Sequence, residues 1–136
     1  MIDHEAVREA NIAFYRAFEN LNIQEMDTIW ADEDYVRCIH PGWDARIGWN
    51  AVRDSWVLIF NNTFGIQFSV EIIDMMVRAH FASVACIETI ATLDQGTWQS
   101  GMVVATNLFE ERHGMWKIIH HHGSPVIGGH LNQETK

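Results

Sequence analysis

The second half of the chain is dominated by four long stretches of apolar and β-branched residues. They cover about residues 66–78, 81–93, 98–111 and 115–122. Glycine-containing turns at 94–97 and 112–114 separate the last three stretches. This succession predicts a long antiparallel meander.

The residues before the meander carry helical spacing instead. Between residues 3 and 21 the apolar side chains recur every three or four positions, which predicts a first helix. Asn22 is suited to cap a second helix, with Glu25 as its capping-box partner, and a third helix is predicted over about 48–62. Residues 35–40 alternate and end at a Pro-Gly turn, which predicts a short strand between helices. Three helices followed by a meander predict an α+β fold, in which the helices cover one face of a curved antiparallel sheet.

Length and charge limit the classes of protein to consider. The chain has 136 residues, enough for one domain, which we assign to residues 1–136 with a loose tail at 128–136. The formal net charge of -9 disfavours nucleic acid and anionic membrane surfaces as partners. No apolar run approaches the roughly 20 residues of a spanning helix, and the acidic first residues lack the features of a signal peptide. We therefore expect a soluble, cytoplasmic protein.

The meander is apolar on both of its faces. Val103 and Ala105 point to one face of their strand, whereas Met102 and Val104 point to the other. Because the helices cover only one face, the second apolar face predicts burial against a partner subunit. We expect a homodimer through this face of the sheet.

Three consecutive histidines lie near the end of the last stretch. In a regular strand His120, His122 and Ser124 share one face, which is also the face of Trp116. His121 then points the other way. Two imidazoles two positions apart on a strand can bind a metal ion, but a zinc site needs a third protein ligand and the spacing fixes none. We favour a polar pocket lined by histidines and expect no metal.

His40 closes the predicted short strand. Because strand side chains alternate, His40 faces the interior if Val36 and Cys38 do. An imidazole at that point can act as a base, since its ordinary pKa is near neutrality. It can equally bind a backbone carbonyl and stabilise the following turn, and the sequence leaves both readings open.

Three polar side chains interrupt apolar strands. Glu88 lies in a strand that is apolar on both faces, where a carboxylate must be paired, hydrogen-bonded or protonated. It is therefore either a functional acid or the partner of an arginine such as Arg78 or Arg37. Thr106 and Asn107 interrupt the next strand, and one of them is expected to point inward with a polar role.

Aromatic residues supply the remaining site candidates. Trp56 fits the apolar stripe of the third helix, which favours a core position, and Trp30 belongs to the apolar face of the second. Trp43 follows the Pro-Gly turn, where it can roof a cavity. Tyr15 lies beside the stripe of the first helix, where its hydroxyl either donates to an oxyanion or binds the backbone.

Several short motifs spread over residues 5–127 form a recognisable set. They are Ala13-Phe14-Tyr15, Asn22-Ile23-Gln24-Glu25-Met26, Trp30-Ala31-Asp32, His40-Pro41-Gly42-Trp43, Gly48 with Ser55-Trp56, Ala105-Thr106-Asn107, and Trp116-Lys117-Ile118-Ile119-His120-His121-His122-Gly123-Ser124-Pro125. This set resembles the nuclear transport factor 2-like (NTF2-like) superfamily, in particular its ketosteroid isomerases and SnoaL-type polyketide cyclases. The resemblance implies a conical α+β barrel with a deep apolar pocket, usually dimeric through the open face of its sheet.

The resemblance also implies roles for three positions. Tyr15 stands where the isomerases have an oxyanion-binding tyrosine. His40 stands before a proline where they have an aspartate base. Thr106-Asn107 stand where they have a second, protonated acid. This chain therefore matches one of the three positions and differs at two.

The function implied is that of a small-molecule-binding protein with isomerase, cyclase or dehydratase chemistry on a small apolar or cyclic ligand, without a cofactor. His40 or His122 would transfer the proton, Tyr15 would hold the developing oxyanion, and Glu88 would supply a carboxylate. The residues expected to line the ligand are Trp30, Trp43, Trp56, Thr106, Asn107, His120 and Ser124. Two alternatives remain open: a non-catalytic ligand-binding or association module, and a metal-assisted hydrolase that uses His120 and His122.

Overall fold

A computed structural model describes residues 3–127 of the protein, and the predicted loose tail lies outside these residues. Its helices are α1 (His4–Glu19), α2 (Ile23–Ile29) and α3 (Trp49–Asn61). The side chain of Asn22 accepts a hydrogen bond from the backbone N–H of Glu25, which confirms the predicted cap of α2. None of the helices among residues 3–127 is long and apolar enough to span a membrane.

The strands form one curved, unclosed sheet. They are β1 (Arg37–Ile39), β2 (Arg46–Ile47), β3 (Ile66–Val77), β4 (Phe81–Asp94), β5 (Thr97–Arg112) and β6 (Met115–Pro125), in the order β2-β1-β6-β5-β4-β3. Strands β3 to β6 are the predicted antiparallel meander, and the α+β prediction is confirmed. The two-residue strand β2 was not predicted. Strand β1 runs parallel to β6, so the short strand lies beside residues 120–122 of the last strand.

The two hairpins at the end of the meander use tight turns. Gln95 and Gly96 have φ values of 51° and 81°, and His113 and Gly114 have 53° and 80°. Two successive residues with positive φ match the twist of the flanking strands, and glycine adopts that conformation without strain. The hairpin turns predicted from the sequence are confirmed.

A β-bulge in β6 changes the face of the sheet on which each histidine side chain lies. Phe109 pairs with Ile118, but Leu108 pairs with His120, so Ile119 is an extra residue in β6. The alternation of side chains inverts beyond such a residue. His121 is therefore buried among the residues of the inner face, whereas His122 is exposed.

His120, His122 and Ser124 do share a face beyond the bulge, but it is not the face of Trp116 given to them by the prediction. The prediction assumed a regular strand. His122 and Ser124 are exposed on the outer face, and His120 is half-buried there. Thr106, which pairs with His122, is exposed on the same face.

Aromatic side chains fill the space between the helices and the inner face of the sheet. Phe14 is fully buried at the centre, with its ring 4.9 Å from that of His121 and 5.7 Å from that of Trp56. Trp30 stacks against Trp49 with ring centroids 5.8 Å apart. The space between the helices and the sheet is thus occupied by the protein's own aromatic rings around these positions.

Candidate functional site

A buried tyrosine and a buried glutamate contact each other at the inner face. The hydroxyl of Tyr15 donates to Oε2 of Glu88 at 2.5 Å, and both residues are less than 5% exposed, at 4% and 2%. None of the ion pairs among the described residues includes Glu88. The alternative considered from the sequence, an ion pair between Glu88 and an arginine, is therefore not what stabilises this carboxyl group. Tyr15 does so instead.

The contact continues into a directional series of hydrogen bonds. Asn107 Nδ2 donates to Oη of Tyr15 at 3.2 Å and to Oδ1 of Asn11 at 2.9 Å. The remaining polar atom of that amide, Oδ1, lies 2.6 Å from Nδ1 of His121 and accepts its hydrogen. Donors thus point from His121 through Asn107 and Tyr15 to Glu88. We call Asn11, Tyr15, Glu88, Asn107 and His121 the buried polar chain.

Local structure explains how these five side chains meet. Asn11 and Tyr15 are four residues apart on α1 and share its inner side. Glu88, Asn107 and His121 lie on the adjacent strands β4, β5 and β6, all on the inner face. Asn107 and His121 are direct partners across the strand pair.

Burial sets the protonation states of the polar chain. It raises the pKa of Glu88 to about 7, and the hydrogen bond from Tyr15 opposes this shift. It lowers the pKa of His121 to about 3, so this imidazole is neutral at pH 7. Burial, followed by the neighbouring Glu88, raises the pKa of Tyr15 above its ordinary value. Within the buried polar chain, Glu88 is therefore the residue whose pKa lies close to neutral pH and which can gain or lose a proton there.

His40 belongs to a separate group. The Ser55 hydroxyl donates to the carbonyl of Val52 at 2.6 Å, so it accepts from Nε2 of His40, which lies 2.9 Å away. The imidazole is 3% exposed and is packed between Trp43 and Trp56, at ring distances of 4.9 Å and 4.7 Å. Burial lowers its pKa to about 4. His40 thus faces the interior with a serine as its partner, rather than a backbone carbonyl.

A cavity of about 420 Å³ opens between α1 and β3, beside the polar chain. Asn11 and Tyr15 form its polar wall, and Phe68, Val70 and Ile72 form an apolar wall from β3. The rest of the lining, on the α1 side, consists of Arg8, Ile12, Arg16 and Glu19. Glu88 lies directly behind this wall, because its pairing partner across the sheet is Val70 and its hydrogen-bond donor is Tyr15. Tyr15 thus contacts both the cavity and Glu88.

The structure divides the predicted site residues into groups. Tyr15, Glu88 and Asn107 come together in the polar chain, and Trp56 lies between this chain and His40. Of the predicted site residues, all within residues 3–127, Tyr15 alone lines the cavity. The others are His40, Glu88, Asn107, Trp30, Trp43, Trp56, Thr106, His120, His122 and Ser124. Within residues 3–127 there is no group of three His, Cys, Asp or Glu side chains arranged to hold a metal ion.

Two members of the polar chain were missed. His121 was assigned to the outer face, and only the bulge at Ile119 overturns that assignment. Asn11 left a signal in the sequence. It lies four residues after Val7 and four before Tyr15, on the buried side of α1 where the other residues are mainly apolar.

Comparisons with known proteins agree with this architecture. The model of the SnoaL-like domain family matches residues 7–128. A proposed dehydratase of the NTF2-like family from Streptomyces avermitilis is 35% identical, with a TM-score of 0.85 over 93% of this chain and 98% of its own. A proposed calcium/calmodulin-dependent protein kinase type II association domain from Thiobacillus denitrificans is 29% identical, with a TM-score of 0.79 over 86% of this chain and 92% of its own.

A third similar protein is considerably longer. The F-box protein SKIP8 of Arabidopsis thaliana is 30% identical over 122 residues, which are 90% of this chain and 50% of that protein. The chain thus spans about half the length of this relative. The family match and the fold together confirm the resemblance expected from the sequence, and the chain belongs to the SnoaL-like domain family within the NTF2-like superfamily.

Proposed function

We propose that the protein binds a small molecule in the cavity between α1 and β3 and moves a proton through Tyr15 and Glu88. One observation carries this proposal: the tyrosine that lines the cavity also donates its hydrogen to a buried carboxyl group at 2.5 Å. Isomerisation or dehydration next to a carbonyl group needs such a proton acceptor and donor. The likeness to the proposed dehydratase from Streptomyces avermitilis supports this class of reaction.

The proton transfer uses side chains of this chain alone. With Glu88 ionised, a proton leaves the substrate carbon for the oxygen of Tyr15 as the tyrosine's own proton passes to Oε2 of Glu88. The electron pair of the broken C–H bond forms a carbon–carbon double bond, and the π electrons of the carbonyl group move to its oxygen. The Oδ1 atom of Asn11 is occupied by Asn107, so its NH₂ group is the part that can donate to this developing oxyanion. The reverse transfer returns a proton to carbon, or delivers it to a departing hydroxyl group.

The pKa of Glu88 suits both directions of transfer. A carboxyl group with its pKa raised to about 7 is close to half-ionised at neutral pH, so it can accept or supply a proton. We propose that His121 and Asn107 hold the tyrosine hydroxyl in place, and that Glu88 and Tyr15 transfer the proton instead of His122. His40 lies in a separate group around Trp56, and this mechanism does not require it.

Tyr15→Phe tests the proposal because it removes the hydroxyl alone. The hydrogen bond from Tyr15 lowers the pKa of Glu88, so its loss is expected to raise that pKa above about 7. Carbon NMR of the glutamate carboxyl groups measures this change directly. Exchange of α-protons for deuterium in a panel of ketones and β-hydroxy carbonyl compounds measures proton transfer, and we expect it to fall about 100-fold or more.

Tyr35→Phe is the matched control. Tyr35 also donates to a carboxyl group, that of Glu110 at 2.5 Å, but it is exposed and lies away from the cavity. The control is expected to leave both the pKa of Glu88 and the exchange rate unchanged. Unchanged exchange in Tyr15→Phe would contradict the proposed mechanism.

We also propose that two copies associate through the outer face of the sheet. The centre of this face carries apolar side chains that are partly exposed, such as Ile87, Leu108 and Val104, the last with 37% of its surface exposed. The likeness to the proposed association domain from Thiobacillus denitrificans supports an associating role. Such a role is compatible with ligand binding on the other side of the sheet.

Val104→Lys is expected to convert a dimer into a monomer. A lysine at the centre of the face would place a charge in the interface of each copy, where its burial is costly. Sedimentation velocity at micromolar concentration should give twice the chain mass of 15.7 kDa for the unmodified protein and the chain mass for the variant. Gln99→Lys, at the exposed β4–β5 hairpin, is the control and should remain dimeric. A monomeric unmodified protein would refute the dimer.

A further inference from the structure

We infer that the ligand of the cavity is an organic carboxylate, held by Arg16 at its acidic group and by the wall of β3 at its apolar body. This inference rests on the proposed function, because it names the class of substrate for the same cavity. Three independent features of the lining carry it: an arginine outside the ion pairs, a glutamate that is already engaged, and a division into apolar and polar walls.

Arg16 is the first of these features. The chain carries a formal net charge of -9, and two of its nine Lys and Arg residues, Arg8 and Arg16, line this cavity. Arg8 is paired with Glu5 at 3.0 Å. Arg16 is in none of the ion pairs found among residues 3–127. Arg37 and Arg78 share that property, but neither lines the cavity. Arg16 is exposed and also borders a second cavity with Glu9 and Glu25, but it forms no ion pair with them among the described residues, so its guanidinium can turn to a ligand.

Glu19 does not neutralise this arginine. It lines the same cavity, but its Oε2 atom accepts a hydrogen bond from the backbone N–H of Phe68 at 2.8 Å. That bond satisfies a backbone donor on β3, the edge strand of the sheet. The carboxylate of Glu19 thus holds the cavity wall in place instead of pairing with Arg16.

The two walls of the cavity, from β3 and α1, indicate the chemistry of the ligand beyond its anionic group. Phe68, Val70 and Ile72 are spaced by two along β3, so their side chains form a continuous apolar surface. Tyr15 and Asn11 face it with polar groups. A ligand that satisfies all sides has an apolar chain or ring, a carbonyl or hydroxyl oxygen directed at Tyr15, and an anionic group at Arg16.

A carboxylate fits this position better than a phosphate. A guanidinium binds either anion with paired hydrogen bonds. A phosphate monoester carries close to two negative charges at pH 7, and it would lie in the same cavity as Glu19 on a chain of net charge -9. Repulsion therefore disfavours the dianion more than the singly charged carboxylate.

A matched pair of probes tests the inference. We would titrate 3-hydroxy-3-phenylpropanoate and 3-hydroxy-3-phenylpropanamide into ¹⁵N-labelled protein at pH 7.5 and follow the backbone resonances of Asn11, Tyr15 and Val70. The acid is expected to bind about tenfold more tightly than the amide, the difference typical of one charge-assisted hydrogen-bonded contact. Arg16→Gln should abolish this preference, and Arg16→Lys should retain part of it.

Arg78→Gln is the control variant. It also removes an arginine that is outside the ion pairs of the described residues, at the β3–β4 turn, and should leave the tenfold preference intact. Equal binding of acid and amide at the cavity, or a preference that survives Arg16→Gln, overturns the inference and leaves the proposed function standing. If neither probe nor any compound of the exchange panel shifts the cavity resonances, the proposed function fails and this inference fails with it.

Discussion

Glu88→Gln is expected to make the protein more stable above pH 7 while it stops proton transfer. Burial raises the pKa of Glu88 from 4.5 to about 7, so the folded protein holds this proton more tightly than the unfolded chain. The stability due to the bound proton is complete below about pH 4.5 and is lost as the pH rises to about 7. A difference of this size corresponds to about 3 kcal/mol. Glutamine does not ionise, and its carbonyl oxygen can still accept the hydrogen bond from Tyr15.

Chemical denaturation at pH 5 and pH 8.5 measures this effect. The free energy of unfolding of the variant should exceed that of the unmodified protein at pH 8.5, and the two should be close at pH 5. Glu71→Gln, an exposed carboxyl group on β3, is the control and should give no pH-dependent difference. A variant that is less stable at pH 8.5, or that still exchanges α-protons, would remove Glu88 from the role proposed for it. A gain in stability with a loss of exchange is the pattern of a functional group kept at a cost to the fold.

Acidification from pH 7 to pH 4 is expected to destabilise the protein strongly. Burial lowers the pKa of His40 from 6.5 to about 4 and that of His121 from 6.5 to about 3. Their contribution to stability is complete above about pH 6.5 and is lost as the pH falls through these lowered values. Each shift corresponds to about 3 kcal/mol or more. Glu88 acts in the opposite direction between pH 7 and pH 4.5, but it is one group against two. The net loss is then about 3 kcal/mol. This is a large part of the usual free energy of unfolding of a folded domain, about 5 to 15 kcal/mol.

His121→Gln separates the contribution of one histidine. The side-chain amide can still donate to Oδ1 of Asn107 but does not titrate. Because the smaller side chain also changes packing at every pH, the informative quantity is the slope of the unfolding free energy against pH between 6.5 and 4. We expect a shallower slope in this variant. His4→Gln, on the exposed first turn of α1, should keep the original slope. An unchanged slope in His121→Gln would mean that this imidazole is not buried in its neutral form.

Local signals account for most of the fold that could be predicted from the sequence. The cap at Asn22 and the glycine turns act within a few residues, so they are readable along the chain. The parallel pairing of β1 with β6 joins residues about 80 positions apart, and no local signal encodes it. Strand β2 has two residues, which is too short for any periodicity to show.

The candidate site could be predicted only where a signal within a few residues marks the side chain. Glu88 and Asn107 were found because a polar side chain in an apolar run must have a partner. Tyr15 was found because it lies beside the apolar stripe of α1 and matches a position of the isomerases. The cavity between α1 and β3 could not be located, since it depends on how closely α1 packs against an edge strand. The bulge at Ile119 was also hidden, because the change of phase that it causes falls between two isoleucines and three histidines, where neighbouring residues are identical.

The run of three histidines makes one end of the polar chain tolerant of changes in the length of β6. The bulge selects His121 as the partner of Asn107. Loss of the bulge would bring His120 opposite Asn107, and deletion of one residue before His121 with the bulge kept would bring His122 there. Each of these residues carries the same imidazole donor. Asn107 has no such substitutes, because its neighbours are Thr106 and Leu108. A shift of one residue in β6, in either direction, therefore keeps an inward imidazole. A shift of one residue in β5 instead replaces the amide that links Tyr15 to His121.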